Sequence, residues 1–196
     1  AAGTKNIARG PAMTRSECLR AIGAGRDTVR DMAGRGYRLI ATGEMGIGNT
    51  TTASAVAAAL TGESVQRMTG RGAGLTDAGL SRKVDAIRRA LSVNAPDPAD
   101  VMDVLRKVGG FDLCAMAGAF LGGAECGVAV MVDGFISSVA ALAARRMEPE
   151  SADFMLASHV SRENAGAFLL KQLGLTPVLT AGMALGEGTG AVAVMP

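Results

Sequence analysis

Two glutamates stand inside glycine-rich segments, where a carboxylate has few neighbours to answer to and the backbone can approach a ligand. Glu44 lies in Gly43-Glu44-Met45-Gly46-Ile47-Gly48-Asn49-Thr50-Thr51-Thr52, and Glu187 in Leu185-Gly186-Glu187-Gly188-Thr189-Gly190. In the first segment Gly46 and Gly48 permit positive φ, while Asn49, Thr50 and the following threonines offer donors at the start of a helix. That combination makes an anion site, and a phosphate fits it. A carboxylate beside a phosphate is repulsive, so Glu44 is expected to face away from the anion, toward a sugar hydroxyl or a base. Glu187 has no basic neighbour in sequence, and two readings stand level. It is a solvated acid in a loop or at a helix start, or it is a base with a raised pKa inside a pocket. A second glycine cluster, Thr69-Gly70-Arg71-Gly72-Ala73-Gly74, precedes a helix carrying Lys83. A lysine at such a position is commonly solvated, but one close behind a glycine loop can also reach a phosphate. His159, the one histidine, reads as structural, supporting a loop at the strand ends.

Several familiar chemistries are excluded by what stands at particular positions. Walker A requires a lysine directly after its last glycine, and Gly48 is followed by Asn49-Thr50. The dinucleotide fingerprint fails at Thr51, where a third small residue should allow close packing. A formal charge of +2 with 3% aromatic residues supplies neither the field nor the stacking surface of a nucleic-acid binder. Cys18, Cys114 and Cys126 lack paired spacing and read as reduced core thiols, so no metal site and no cofactor are expected. No run approaches the roughly 18 apolar residues of a membrane span, and no charged start leads into an apolar stretch. The expectation is a soluble, cytoplasmic protein that binds neither membrane nor nucleic acid.

The elements that must position these residues follow from periodicity. The spacing of Cys18, Leu19, Ile22, Val29 and Met32 predicts a helix over residues 14–33, opened by a Thr14/Glu17 capping box and ended by Gly34 and Gly36. Tyr37, Leu39 and Ile40 predict a strand, and the first glycine segment then leads into a helix ending near Leu60. Further helices are expected from Thr76-Asp77 through Leu91, over 99–108, over 111–121 with Gly122-Gly123 as its stop, over 135–146, and from Ser161 and Asn164 to Leu173. Strands are expected at 128–132, at 154–157 and, more loosely, at Pro177-Val178-Leu179. Apolar strands alternating with helices predict an α/β fold, a Rossmann-like three-layer parallel sheet with helices on both faces. Ligands gather at the carboxyl ends of such strands. Glu44, Asp133, Ser158-His159 and Glu187 all follow candidate strands and are expected to share one rim.

With these segments in view, the chain resembles the nicotinate-nucleotide:dimethylbenzimidazole phosphoribosyltransferase family. The resemblance is carried by Gly3-Thr4-Lys5-Asn6-Ile7, by the segment from Gly43 to Thr51, and by Gly70-Arg71-Gly72 through Lys83. Val132-Asp133-Gly134-Phe135-Ile136, Ser158-His159 and the segment from Leu185 to Gly190 complete it, all in the family's order. It implies transfer of a phosphoribosyl group from nicotinate mononucleotide to 5,6-dimethylbenzimidazole, giving α-ribazole 5′-phosphate and nicotinate for the lower ligand of cobalamin. It also implies a homodimer, no metal and no cofactor. Glu187 takes the place of the general base and Glu44 that of an accessory acid near ribose or base. Gly46, Ile47, Gly48, Asn49, Thr50 and Lys83 surround the ribose phosphate, and Leu185 and Gly186 border the base pocket. By this resemblance residues 1–196 form a single α/β domain similar to the family's large domain, without most of its N-terminal part and its C-terminal tail. A non-catalytic relative that binds nucleotide or benzimidazole is the alternative.

Overall fold

The computed structural model describes residues 3–72 and 74–195; Ala1, Ala2, Ala73 of the second glycine cluster and Pro196 fall outside them. Helix α1 (Arg15–Gly34) opens on the expected capping box. The Thr14 hydroxyl accepts the Glu17 N–H at 3.2 Å, and Glu17 in turn accepts the Thr14 N–H at 2.8 Å. Strand β1 (Leu39–Ala41) follows, then α2 (Asn49–Thr61), a single turn α3 (Val65–Met68), α4 (Asp77–Asn94), α5 (Val101–Val108) and α6 (Phe111–Cys126). Next come β2 (Ala129–Val132), α7 (Phe135–Met147), a 3-10 stretch at Pro149–Phe154, β3 (Met155–Ala157), α8 (Gly166–Leu173) and a short α9 (Thr189–Ala193). The three strands form one parallel sheet in the order β1-β2-β3, with Ile40 opposite Val130 and Val130 opposite Met155. Val130, Met131 and Val132 are buried in succession. Successive strand residues point to opposite faces, so β2 is covered on both, as a parallel α/β sheet requires. Among the described residues no helix is long and apolar enough to cross a membrane.

Two elements depart from the sequence reading. Helix α6 does not stop at Gly122-Gly123 but runs through them to Cys126, with both glycines buried. A Cβ on Gly122 would come within 3.1 Å of Arg26 Cα in α1, and one on Gly123 within 2.6 Å of the Val130 side chain in β2. These glycines are there for close packing on two neighbours, which overrides their low helix propensity. The segment Pro177-Val178-Leu179 forms only an isolated parallel bridge, His159 with Leu179, rather than a strand. Pro177 has no N–H to give to a ladder, and Val178 is 69% exposed, so nothing drives a longer pairing.

The largest helix contact, α1 on α6, is closer still. A Cβ on Gly25 would sit 1.8 Å from the Ala115 carbonyl oxygen, and one on Gly118 2.0 Å from that of Ile22. The thiols of Cys18 and Cys114 lie 3.6 Å apart at this seam, where the Cys18 contact and burial push the Cys114 thiol up. Two substitutions separate packing from propensity. Gly118→Ala should lower stability by about 2–3 kcal/mol through overpacking, whereas Gly23→Ala, on α1 with open space around it, should raise it by about 0.5–1 kcal/mol. Urea unfolding midpoints of the two variants check this, and similar shifts in both would show that the seam has slack.

Candidate active site

The site forms where the three strands end. Thr42, just after β1, donates its hydroxyl to the Met131 carbonyl at 2.8 Å and sits 2.6 Å from the Ser137 hydroxyl in the first turn of α7. Asp133 follows β2 directly and is buried; its carboxylate accepts the N–H groups of Gly188 at 3.2 Å and Ala191 at 2.9 Å. Gly188 is the N-cap of α9 and Ala191 its third residue, so a resident acid satisfies donors at that helix start. Ser158, after β3, donates to the Val132 carbonyl at 2.8 Å and lies 3.0 Å from His159 Nδ1. With its one proton committed to the carbonyl, Ser158 accepts from Nδ1–H, and the Asp133 carboxylate lies 4.0 Å from the same nitrogen. His159 is buried, and Gly190 must be glycine beneath it, because a Cβ there would stand 1.9 Å from Nδ1.

The first and third glycine segments meet along their backbones. The Glu187 N–H donates to the Glu44 carbonyl at 3.1 Å, and a Cβ on Gly43 would come within 2.8 Å of Gly188 N. Gly186, Glu187 and Gly188 all have positive φ, at 78°, 59° and 75°. For a glutamate that left-handed conformation costs about 1 kcal/mol or more, and such strain persists only where the surroundings impose it. Glu187 is exposed and follows Gly186, one of the residues that line a cleft of ≈ 150 Å³ together with Glu44, Gly46, Thr50, His159, Glu163 and Leu185; Glu187 itself is not part of that lining.

Glu44 does not face away from the loop that follows it. Its Oε2 accepts the Gly46 N–H at 2.6 Å and the Asn49 side-chain amide at 2.5 Å, and its other oxygen lies against Gly186. The loop's first free amide is therefore answered by the protein's own carboxylate. Asn49 also donates to Asp112 at 3.0 Å, which leaves its buried side-chain oxygen without a partner. Gly48 caps α2 with no side-chain hydrogen bond. The N-terminus of α2 thus stays open to an anion, while that of α9 is closed by Asp133.

Lys83 is 7% exposed and its ammonium donates to Thr50 Oγ1 at 2.9 Å and to the Gly70 carbonyl at 3.0 Å. Burial pushes its pKa below the ordinary lysine value, and the Glu163 carboxylate offsets part of that shift. With Arg71, Arg82, Gly46, Gly48 and Thr50 it borders a basic groove of ≈ 500 Å³, which shares Gly46 and Thr50 with the cleft. The structure thus gathers Glu44, Gly46, Gly48, Asn49, Thr50, Lys83, Leu185, Gly186 and Glu187 at one end of the sheet, whereas the Ile47 side chain is 81% exposed. Two residues that the sequence did not single out join them. Asp112 looked like an ordinary acid in the first turn of a helix, and Glu163 carried no local signal.

Comparison with known proteins places this geometry. A family model described as "Phosphoribosyltransferase" matches residues 1–196. The nicotinate-nucleotide–dimethylbenzimidazole phosphoribosyltransferase of Desulforudis audaxviator is 53% identical over 191 residues, which are 97% of this chain and 54% of that protein. The enzyme of the same name from Acetivibrio thermocellus is 50% identical over 96% of this chain and 54% of its own length. The crystal structure of CobT from Thermus thermophilus superposes with a TM-score of 0.92 at 45% identity, over 96% of this chain and 56% of that one. The chain spans about half the length of the relatives it matches.

Replacing Asp133 by alanine should release the amides of Gly188 and Ala191 and cost about 1–3 kcal/mol of stability, as for buried donors left unpaired. Hydrogen exchange read residue by residue checks it, with Gly188 and Ala191 exchanging faster in the variant. If both amides stay as protected as in the parent, Asp133 does not hold the third glycine segment.

Proposed function

The chain belongs to the phosphoribosyltransferase family whose model spans it, and on that premise we propose that it moves the phosphoribosyl group of nicotinate mononucleotide to 5,6-dimethylbenzimidazole. The products are α-ribazole 5′-phosphate and nicotinate. The observation that carries the reading is Glu187, an exposed acid held at positive φ between two glycines, next in chain to the cleft-lining Gly186, its N–H bound to the Glu44 carbonyl. A residue kept in so costly a conformation serves a purpose that glycine would not.

The chemistry asks little of the protein beyond position and one base. Nicotinate leaves from a pyridinium: the C1′–N bond breaks with its electron pair going to the ring nitrogen, which becomes neutral and needs no acid. One nitrogen of the benzimidazole forms the new bond to C1′ from the opposite face, inverting β to α. The proton on its other nitrogen passes to the Glu187 carboxylate. The ribose phosphate lies with the open start of α2, at Gly48, Asn49 and Thr50, and with Lys83. Glu44 stays near ribose or base, and Leu185 and Gly186 border the base. In this proposal residues 1–196 act as one α/β domain of a cytoplasmic homodimer, as the family resemblance implies.

Incubating the protein with both substrates should yield α-ribazole 5′-phosphate, resolved by chromatography; nucleotide bound without product would remove the transferase reading. Glu187→Gln should lower turnover by about 10²–10⁴-fold, the usual span of a general base, with nucleotide affinity nearly unchanged. Turnover close to the parent's would take Glu187 out of that role. Lys83→Ala should instead weaken nucleotide binding by about tenfold or more, as for loss of a charge-assisted phosphate contact. An unaltered dissociation constant would return Lys83 to a purely structural place.

A further inference from the structure

We propose that Glu163 is a positioning residue, which holds the Gly70–Gly72 loop in place and balances the charge of Lys83 so that the ammonium is presented to the substrate phosphate. This rests on the reading of Lys83 as a phosphate ligand, and it gives that reading a mechanism. Glu163 Oε1 accepts the Gly72 N–H at 3.0 Å, and its Oε2 occupies the space that a Cβ on Gly70 would fill, 1.4 Å from where that atom would stand. From the other side Lys83 donates to the Gly70 carbonyl. The Gly70 peptide is thus clasped between an acid and a base, and Asn164, next to Glu163, donates to the Thr69 carbonyl at 3.3 Å. Both acceptors of Lys83 are uncharged, a hydroxyl and a carbonyl. A buried ammonium with only neutral acceptors tends to lose its proton, and with it the attraction for a phosphate.

The surrounding charges leave Glu163 as the counterweight. On α3, Arg67 is paired with Glu63, and in the glycine loop Arg71 is paired with Asp77. On α5, Asp103 pairs with both Arg106 and Lys107. Before α2, Glu44 is bound to Gly46 and Asn49, and Asp112 of α6 also takes Asn49. On α4 itself Arg88 pairs with Asp85, and Arg82 is exposed on the groove side. It is Glu163 whose field raises the proton affinity of Lys83 against the effect of burial.

Two variants of the full chain separate the two tasks. Glu163→Gln keeps an oxygen that accepts from Gly72 but removes the charge; Glu163→Asp keeps the charge but shortens the reach. Lys83 is followed by NMR titration of its side-chain amine, and the loop by hydrogen exchange of residues 70–72, neither of which needs a nucleotide. Glu163→Gln should make Lys83 titrate at lower pH, with slow exchange retained, and nicotinate mononucleotide should bind about tenfold more weakly once the pH rises above that lowered titration. Glu163→Asp should speed loop exchange and leave the Lys83 titration close to the parent's. A Lys83 titration unmoved by Glu163→Gln, or loop exchange unmoved by Glu163→Asp, overturns the proposal. If both move as expected and Glu163→Gln binds the nucleotide as tightly as the parent at every pH, the clasp stands and the phosphate reading of Lys83 falls.

Discussion

A buried carboxylate is tolerated only when its oxygens are answered, and the answer Asp133 receives organises the whole site. It stands at the end of β2, the middle strand, which is paired on both sides. Its two bonds run to the start of α9, where backbone N–H groups and the helix dipole both favour a negative charge. The third glycine segment is thereby tied to the most rigid part of the sheet. Because Glu187 in turn bonds the Glu44 backbone, the first glycine segment is fixed to the same point. A site assembled from three loops thus takes its precision from one strand.

What could be read of the fold from sequence depended on whether local periodicity and tertiary packing agreed. The Thr14/Glu17 box and the apolar spacing of α1 announced that helix, and the apolar run before Asp133 announced β2, since both signals are local. Gly122-Gly123 misled because glycine has two uses with opposite meanings. It stops a helix where the backbone must turn, and it continues one where a neighbour leaves no room for a side chain. The contacts with Arg26 and Val130 decide between them, and neither is visible from the local sequence. The loose strand at residues 177–179 failed for a related reason, because an edge holds only what its neighbours reward.

The glycine segments of the site were legible for a physical reason as well. Gly46, Gly48, Gly186 and Gly188 have φ between 74° and 78°, a region that side chains avoid, so the residue type itself records the backbone. Glu163 and Asp112 are different, for their roles depend on which distant loop the fold brings to them. What the sequence did not show of Glu44 is that one of its oxygens also binds within the loop, where it satisfies the exposed amide of Gly46 and the buried side chain of Asn49 from within the chain.

Two adjoining hollows that share Gly46 and Thr50 differ in charge, and that difference bears on the chemistry proposed. The groove takes Lys83, Arg71 and Arg82 beside the uncapped start of α2, and the cleft takes Glu44 and Glu163. Nicotinate mononucleotide has the same polarity, with a phosphate at one end and a cationic pyridinium at the other. In the proposed reading the nucleotide would lie with its phosphate at the basic groove and its C1′ toward the cleft. As the C1′–N bond breaks, positive charge moves from the pyridinium onto the ribose, and carboxylates beside that carbon favour the movement. In the proposed reaction Glu44 gains by being held to its own loop: fixed against Gly46 and Asn49, it would offer its charge to the ribose without having to be ordered during the reaction.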